Sequence, residues 1–213
     1  MTPQEMGVRE AIRAFFDRAA PGWDDAQVVD ADKISVIVSL ADLRPGMKVL
    51  DLGTGTGVLL PHLAARVAPG GQVVGLDVSE AMLAGAARKS ERLHEQAAIK
   101  LVLGDAHDLP WPDASFDAVV CYSMFPHLDQ PAVAVAEMAR VLVPDGRLVV
   151  AHSESRTTIN QRHREIGGVV ISHKVPDREA MVSLLRSAGL KPVLLHDGDD
   201  IYVAVASRAP AGL

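Results

Sequence analysis

The chain has 213 residues, 48% of them apolar, and a formal net charge of -6. That length and apolar content suit a single α/β domain spanning residues 1–213. An acidic balance with scattered lysines and arginines lacks the clustered cations on which nucleic-acid affinity rests, so no nucleic-acid partner is expected. No apolar run approaches the roughly 18 residues of a membrane span, and Met1 to Glu10 is too polar for a signal peptide. A lone cysteine, Cys121, cannot close an internal disulfide. A cytoplasmic protein with no membrane partner is therefore expected.

The first forty residues precede any strand pattern and read as helical, with Ile12, Phe15 and Phe16 available for packing and Pro21-Gly22 as a break. They are expected to cover a site as a lid. From Lys48 the apolar run Val49 to Leu52 ends in Gly53-Thr54-Gly55-Thr56-Gly57, and Leu59, Leu60, Leu63 and Val67 then recur at helical spacing. The pattern is strand, glycine turn, helix. Pro69-Gly70-Gly71 stops that helix, Gln72 to Asp77 forms a second strand, and Ser79 caps a helix that carries Met82, Leu83 and Ala86. Ile99 to Leu103 is the third strand. Phe116 to Tyr122 is the fourth, apolar on both faces as a central parallel strand must be.

Pro131 opens the next helix, which ends near Leu142, and Pro144-Asp145-Gly146 turns the chain into a fifth strand from Arg147 to about His152. Ser153 to Lys174 is polar and without clear periodicity, and Gly167 to Ile171 suits either a short strand or a loop. Residues 153–176 are expected to form an insertion on the substrate side. Asp177 caps a helix that places Met181, Leu184, Leu185 and Ala188 on one face and stops at Gly189. The strands Leu190 to Leu195 and Ile201 to Ala206 close the chain, joined by a turn short enough for an antiparallel hairpin. The order implies a doubly wound, Rossmann-like α/β fold: a mostly parallel seven-stranded sheet with an antiparallel C-terminal hairpin.

In such sheets ligands bind beyond the carboxyl ends of the strands. Three acids stand there. Asp51 and the glycine turn end the first strand, where the backbone of Gly53, Thr54, Gly55 and Gly57 can approach a ligand closely. Asp77 ends the second strand, where a carboxylate accepts both hydrogen bonds of a ribose diol. Asp105, in Gly104-Asp105-Ala106 after the third strand, is placed to accept from an adenine amino group. Each feature alone also suits a tight turn or a solvated aspartate; their succession points to an adenosine cofactor.

The sequence resembles the class I S-adenosylmethionine-dependent methyltransferases over residues 45 to 152. The resemblance lies in Val49 to Gly57, Gly75 to Leu83, Gly104-Asp105-Ala106 with Leu109-Pro110 and Ser115-Phe116-Asp117, and Arg140 to Gly146, where Asp145 replaces a glycine common in the family. It implies S-adenosylmethionine as cofactor, with Gly53, Gly55 and Gly57 near its methionine part, Asp77 at the ribose, and Asp105 and Ala106 at the adenine. Asp51, Thr54, Val78, Met82 and Cys121 complete the expected cofactor site. Phe15-Phe16-Asp17 and Gly22-Trp23-Asp24 resemble the N-terminal segment that closes over the cofactor in small-molecule members. Arg156 to His163, leading through Gly167-Gly168 to His173, resembles a prokaryotic subgroup whose acceptor is not assigned.

Cys121-Tyr122-Ser123-Met124 after the fourth strand differs from the Asp/Asn-Pro-Pro-aromatic sequence of amino-group methylation, leaving a small-molecule acceptor as the expected partner. Methyl transfer from a sulfonium needs alignment, water exclusion and, for a protic acceptor, a base. His127, in Phe125-Pro126-His127, and His152 stand at the open edge of the fourth and fifth strands, and His163 and His173 follow in the segment expected to fold over the same edge. His127, His152 and His163 are the candidate catalytic residues, as a base or as part of a metal site; a purely structural role suits each of them singly. Two other functions fit part of the pattern. A nicotinamide-dependent oxidoreductase would explain the glycine turn with Asp77 twenty residues on, against the G-x-G-x-G spacing. A non-catalytic S-adenosylmethionine-binding subunit would need the same turn without an acceptor site.

Overall fold

The computed structural model describes residues 3–26, 30–93, 97–170 and 173–210. Three helices precede the sheet: α1 (Pro3–Ala19), α2 (Trp23–Ala26) and α3 (Ala31–Ser39), with a 3-10 turn over Ala20–Gly22 where a break was expected. Asp30 caps α3 by accepting from the backbone N–H groups of Asp32 and Lys33. The alternating part follows as β1 (Lys48–Leu52), α4 (Leu60–Val67), β2 (Gln72–Asp77), α5 (Glu80–Ser90), β3 (Ala98–Leu103), β4 (Phe116–Tyr122), α6 (Pro131–Val141) and β5 (Leu142–His152). The last elements are α7 (Arg156–Ile166), α8 (Arg178–Ser187), β6 (Leu190–Asp197) and β7 (Tyr202–Arg208).

The seven strands lie in the order β3-β2-β1-β4-β5-β7-β6. Pairing is parallel from β3 across to β5, while β7 runs antiparallel between β5 and β6. The expected fold and hairpin are both present. Alternation divides the core into two layers. Leu50, Val119, Cys121, Leu148, Val150 and Ala204 face the layer shared with α6 and α8, whereas Val49, Val120, Val149, Val203 and Val205 face that of α3 and α4. Because β1 and β4 are neighbours that end at the same edge, the turns that follow them border one crevice.

Two expectations need correction. The fifth strand begins at Leu142, not Arg147, because Leu142 already pairs with Phe116 before a register shift resumes the ladder at Arg147. The stretch after His152 contains a full helix, α7, capped by the Ser155 hydroxyl accepting from Thr158 N–H. Its buried face is Ile159, Asn160 and His163, so the helical stripe is mostly polar and invisible to a search for apolar periodicity. Asn160 is satisfied by accepting from Val175 N–H at 2.8 Å and donating to its carbonyl at 3.2 Å. Gly168–Val170 forms a 3-10 turn, so the expected strand-or-loop resolves as a turn; Ile171 lies outside the described residues. The caps expected at Ser79 and Asp177 are present. No helix among the described residues is long and apolar enough to cross a membrane.

Candidate active site

A cavity of about 1200 Å³, its open mouth included, lies at the carboxyl ends of β1 to β4. Its floor is laced by the glycine turn. Gly53 and Thr54 N–H donate to Leu76 carbonyl, Thr54 Oγ1 donates to Asp51 at 2.7 Å, and Gly55 N–H donates to Asp77 at 2.8 Å. Ser79 N–H fills the other Asp77 oxygen at 2.9 Å. Gly55 has φ +54° and no atom within 4 Å of where a Cβ would stand, so its free face belongs to the cavity.

The roof comes from the N-terminal helices. Asp17 of α1 accepts from Ser79 Oγ at 2.5 Å, and Asp24 of α2 accepts from Thr56 Oγ1 at 2.5 Å and from Lys89 at 2.9 Å. At the far end Arg9 of α1 donates to Asp105 at 2.8 Å and pairs with Asp129, while His107 sits between the same two carboxylates. Ile12, Phe16 and Trp23 present the roof's apolar side to the cavity.

The cavity's charge is lopsided. Asp24, Asp51, Asp77, Asp105 and Asp129 line it; Lys89 pairs with Asp24 and Arg9 with Asp105 and Asp129, so that among the described residues Asp51 and Asp77 have no cationic partner. Burial pushes Asp51 up to about 7, opposed by the Thr54 hydroxyl and helped by the charge of Asp77. Burial also raises Asp77, although the backbone donors of Ser79, Gly55 and Val78 work against it. Asp105 is held low: burial alone would raise it, but the His107 hydrogen bonds and the Arg9 charge prevail. A buried carboxylate short of a counter-charge favours a cation and opposes a pyrophosphate.

The Methyltransferase domain family matches residues 50–150. The demethylmenaquinone methyltransferase of Symbiobacterium thermophilum is 35% identical over 153 residues, covering 70% of this chain and 60% of that protein. The nocamycin O-methyltransferase of Saccharothrix syringae is 42% identical over 138 residues, covering 62% of this chain and 48% of that protein. A SAM-dependent methyltransferase structure from Aquifex aeolicus superposes with a TM-score of 0.67 at 24% identity, covering 93% of this chain and 97% of that one, a likeness of fold. The chain is thus similar to the S-adenosylmethionine-dependent methyltransferases, with the family match lying in residues 50–150. It spans about half the length of the curated relatives it matches.

The family's cofactor is cationic at its sulfonium and its ammonium, and the carboxylate-lined cavity with an open Gly55 fits those charges. Among the residues expected to hold it, Asp51, Gly53, Thr54, Gly55, Asp77, Val78, Met82, Asp105 and Ala106 line the cavity. Two do not. A Cβ on Gly57 would stand 2.7 Å from Leu60 and 3.1 Å from the Ala86 backbone, so this glycine serves the packing of α4 against α5. Cys121 is fully buried in the α6–α8 layer because its position in β4 alternates away from the crevice, and burial raises its thiol further from ionisation.

The four histidines do gather. His127 and His173 meet Nδ1 to Nδ1 at 2.9 Å, the His127 and His163 rings lie 5.0 Å apart, and His163 Nδ1 donates to the His173 carbonyl at 2.9 Å. Only His127 lines the cavity, edge-on to Phe16. His152 and His163 are buried behind it, contrary to the expectation that they face the acceptor. Burial and the neighbouring imidazoles depress His127 well below its ordinary value; burial, with His163, takes His152 to about 3. Among the described residues no group of three His, Cys, Asp or Glu side chains is arranged to hold a metal ion. The sequence reading missed Arg9, His107 and Asp129; Arg9 lies 96 residues from its partner Asp105 and 120 from Asp129, so no local pattern joins them.

Proposed function

We propose that this domain transfers a methyl group from S-adenosylmethionine to a small, largely apolar acceptor carrying an acidic hydroxyl, in the manner of a quinol or enol. One observation carries the proposal: a carboxylate-lined floor and an apolar wall enclose one cavity, and of its two imidazoles His107 is held by Asp105 and Asp129 while the other is engaged by no carboxylate. Ile12, Phe16, Trp23, Met124 and Leu128 make that wall, and His127 is the other imidazole. Relatives named for a demethylmenaquinone and for nocamycin support a small-molecule acceptor.

When bound, S-adenosylmethionine supplies an electrophilic methyl group with a good leaving group. The residues proposed to hold it are Gly53, Thr54 and Gly55 along the methionine part, Asp77 at the ribose, Val78 and Met82 against the adenine, and Asp105 and Ala106 at its edge. Asp51 faces the cationic portion, which restores its ionised form. The roof of α1 and α2 excludes water, and the apolar wall aligns the acceptor. His127, kept neutral by burial, accepts the acceptor's proton.

The test is incubation with methyl-labelled S-adenosylmethionine and a panel of an alkylated naphthohydroquinone, catechols and aliphatic alcohols. Label is expected in the hydroxylated aromatic compounds together with S-adenosylhomocysteine. Tight S-adenosylhomocysteine binding with no label in any acceptor would contradict the proposal and favour a non-catalytic binding subunit.

A further inference from the structure

His127 and His173 bring their Nδ1 atoms to 2.9 Å, and the hydrogen bond between them requires one proton on one of the two nitrogens. The pairing therefore fixes tautomers. If Nδ1–H belongs to His127, its Nε2 carries a lone pair and acts as a base; if it belongs to His173, His127 Nε2 carries a hydrogen and can only donate. The His127 ring has no other hydrogen-bond partner among the described residues, so Nε2 is the nitrogen left to the cavity that the ring lines.

We infer that His127 and His173 form a two-imidazole base in which His173 accepts from His127 Nδ1–H and thereby holds His127 Nε2 unprotonated toward the acceptor. Its catalytic consequence rests on the methyl-transfer reading above; the tautomer assignment does not.

Three features support that direction. His173 is held by its own backbone, since its carbonyl accepts from His163 Nδ1, and this in turn fixes the His163 tautomer. The nearby Asp129 carboxylate favours the protonated state of His173, whereas His127 meets three imidazoles and no acid. Of the two rings only His127 lines the cavity, so a lone pair at its Nε2 is the one an acceptor can reach. The groups facing the dyad are His163 from α7, His152 from the end of β5, Asp129 before α6 and Phe16 from α1; Arg9 of α1 is paired with Asp129.

In the step itself the acceptor's X–H bond breaks, the proton forms an N–H bond at His127 Nε2, and the electron pair stays on X as the nucleophile. The imidazolium that results keeps its Nδ1–H on His173 as a charge-assisted bond, stronger than the neutral bond before it. The proton returns to water after the product leaves. His127 is thus the catalytic residue and His173 a positioning residue, with a role like that of the orienting acid in a triad but without its charge.

Nitrogen-15 NMR of the full chain labelled at histidine, with S-adenosylhomocysteine added, tests this directly. The expected result is a protonated Nδ1 and bare Nε2 on His127, a bare Nδ1 on His173, and a scalar coupling between the two Nδ1 nitrogens. A His127 protonated at Nε2, or no coupling, would overturn the inference. His173→Asp supplies a second readout: a carboxylate in place of the neutral acceptor should raise the His127 titration by about one to three pH units and carry the acid limb of kcat up with it. An unmoved His127 titration would also overturn the inference. If no acceptor in the panel is methylated while the coupling is present, the methyl-transfer reading falls and the dyad stands.

Discussion

The carboxylate floor beneath the glycine turn and the histidine cluster beside it are both buried, yet burial acts on them with opposite sign. On the floor it opposes the charge that Asp51 carries at neutral pH and lifts its pKa to about 7. In the cluster it suppresses a charge that the imidazoles scarcely carry there, and His152 falls to about 3. The floor is therefore under electrostatic strain until a cation arrives. The cluster is at rest while neutral, with its basicity available at His127. A site that needs a bound cation and a neutral base side by side is served by this division.

Glycine substitutions separate binding from packing along the floor and should give the largest effects. Gly55→Val projects a branched side chain into the cavity and should weaken S-adenosylhomocysteine by about 100-fold or more, at a folding cost of roughly 1–2 kcal/mol for a left-handed residue. Gly57→Ala should do the reverse, losing about 1–3 kcal/mol of stability because the added carbon meets Leu60 and Ala86. Calorimetric titration and thermal melts on both variants would check the contrast. Equal binding loss in the two would erase it.

Asp51→Asn probes the strain itself. With a folded pKa raised to about 7 from 3.8, Asp51 is harmless below pH 4, loses stability for the protein as pH rises through the interval, and above pH 7 costs about 4 kcal/mol. Asparagine keeps an acceptor for Thr54 Oγ1 and removes the charge. The ligand-free variant should melt higher than the parent at pH 8 and no higher at pH 4, while binding the cofactor product more weakly. A lower melting temperature at pH 8 would mean that a counter-charge already reaches Asp51 in the free protein.

The cluster should show the opposite slope and the smallest effect. As pH falls below 6.5 the unfolded chain takes up a proton that buried His152 refuses, so stability declines from there toward about pH 3. His152→Phe, which also removes the unpartnered Nε2 beside Tyr202, should stabilise the protein by about 1 kcal/mol more at pH 5.5 than at pH 8. Denaturant midpoints at the two pH values measure it.

The same division explains how much was legible in the sequence. Strands β1 to β5, the glycine turn and the acids at the strand ends are local: each is a short run whose pattern states its own conformation, as with the two-faced apolar run of β4 or the Ser79 cap. The roof and the cluster are not local. Helix α7 buries Asn160 and His163 in place of leucines, Arg9 finds Asp129 across 120 residues, and His173 meets His127 through a chain reversal. The Ser155 cap was the one local sign of α7. Gly57 misled because a packing glycine and a ligand-facing glycine look alike within one turn. Cys121 misled because strand alternation, not proximity to the strand end, decides which side chain meets the crevice.

The central claim, that the floor is an anionic site completed by the ammonium group of its ligand, is tested most directly by S-adenosylhomocysteine affinity between pH 5.5 and 8. The ligand keeps its ammonium across that range, so affinity should rise with pH as Asp51 ionises, level off above about pH 7 and lose this dependence in Asp51→Asn. Affinity that is flat with pH in the parent protein, or binding of NADH tighter than that of S-adenosylhomocysteine, would contradict it.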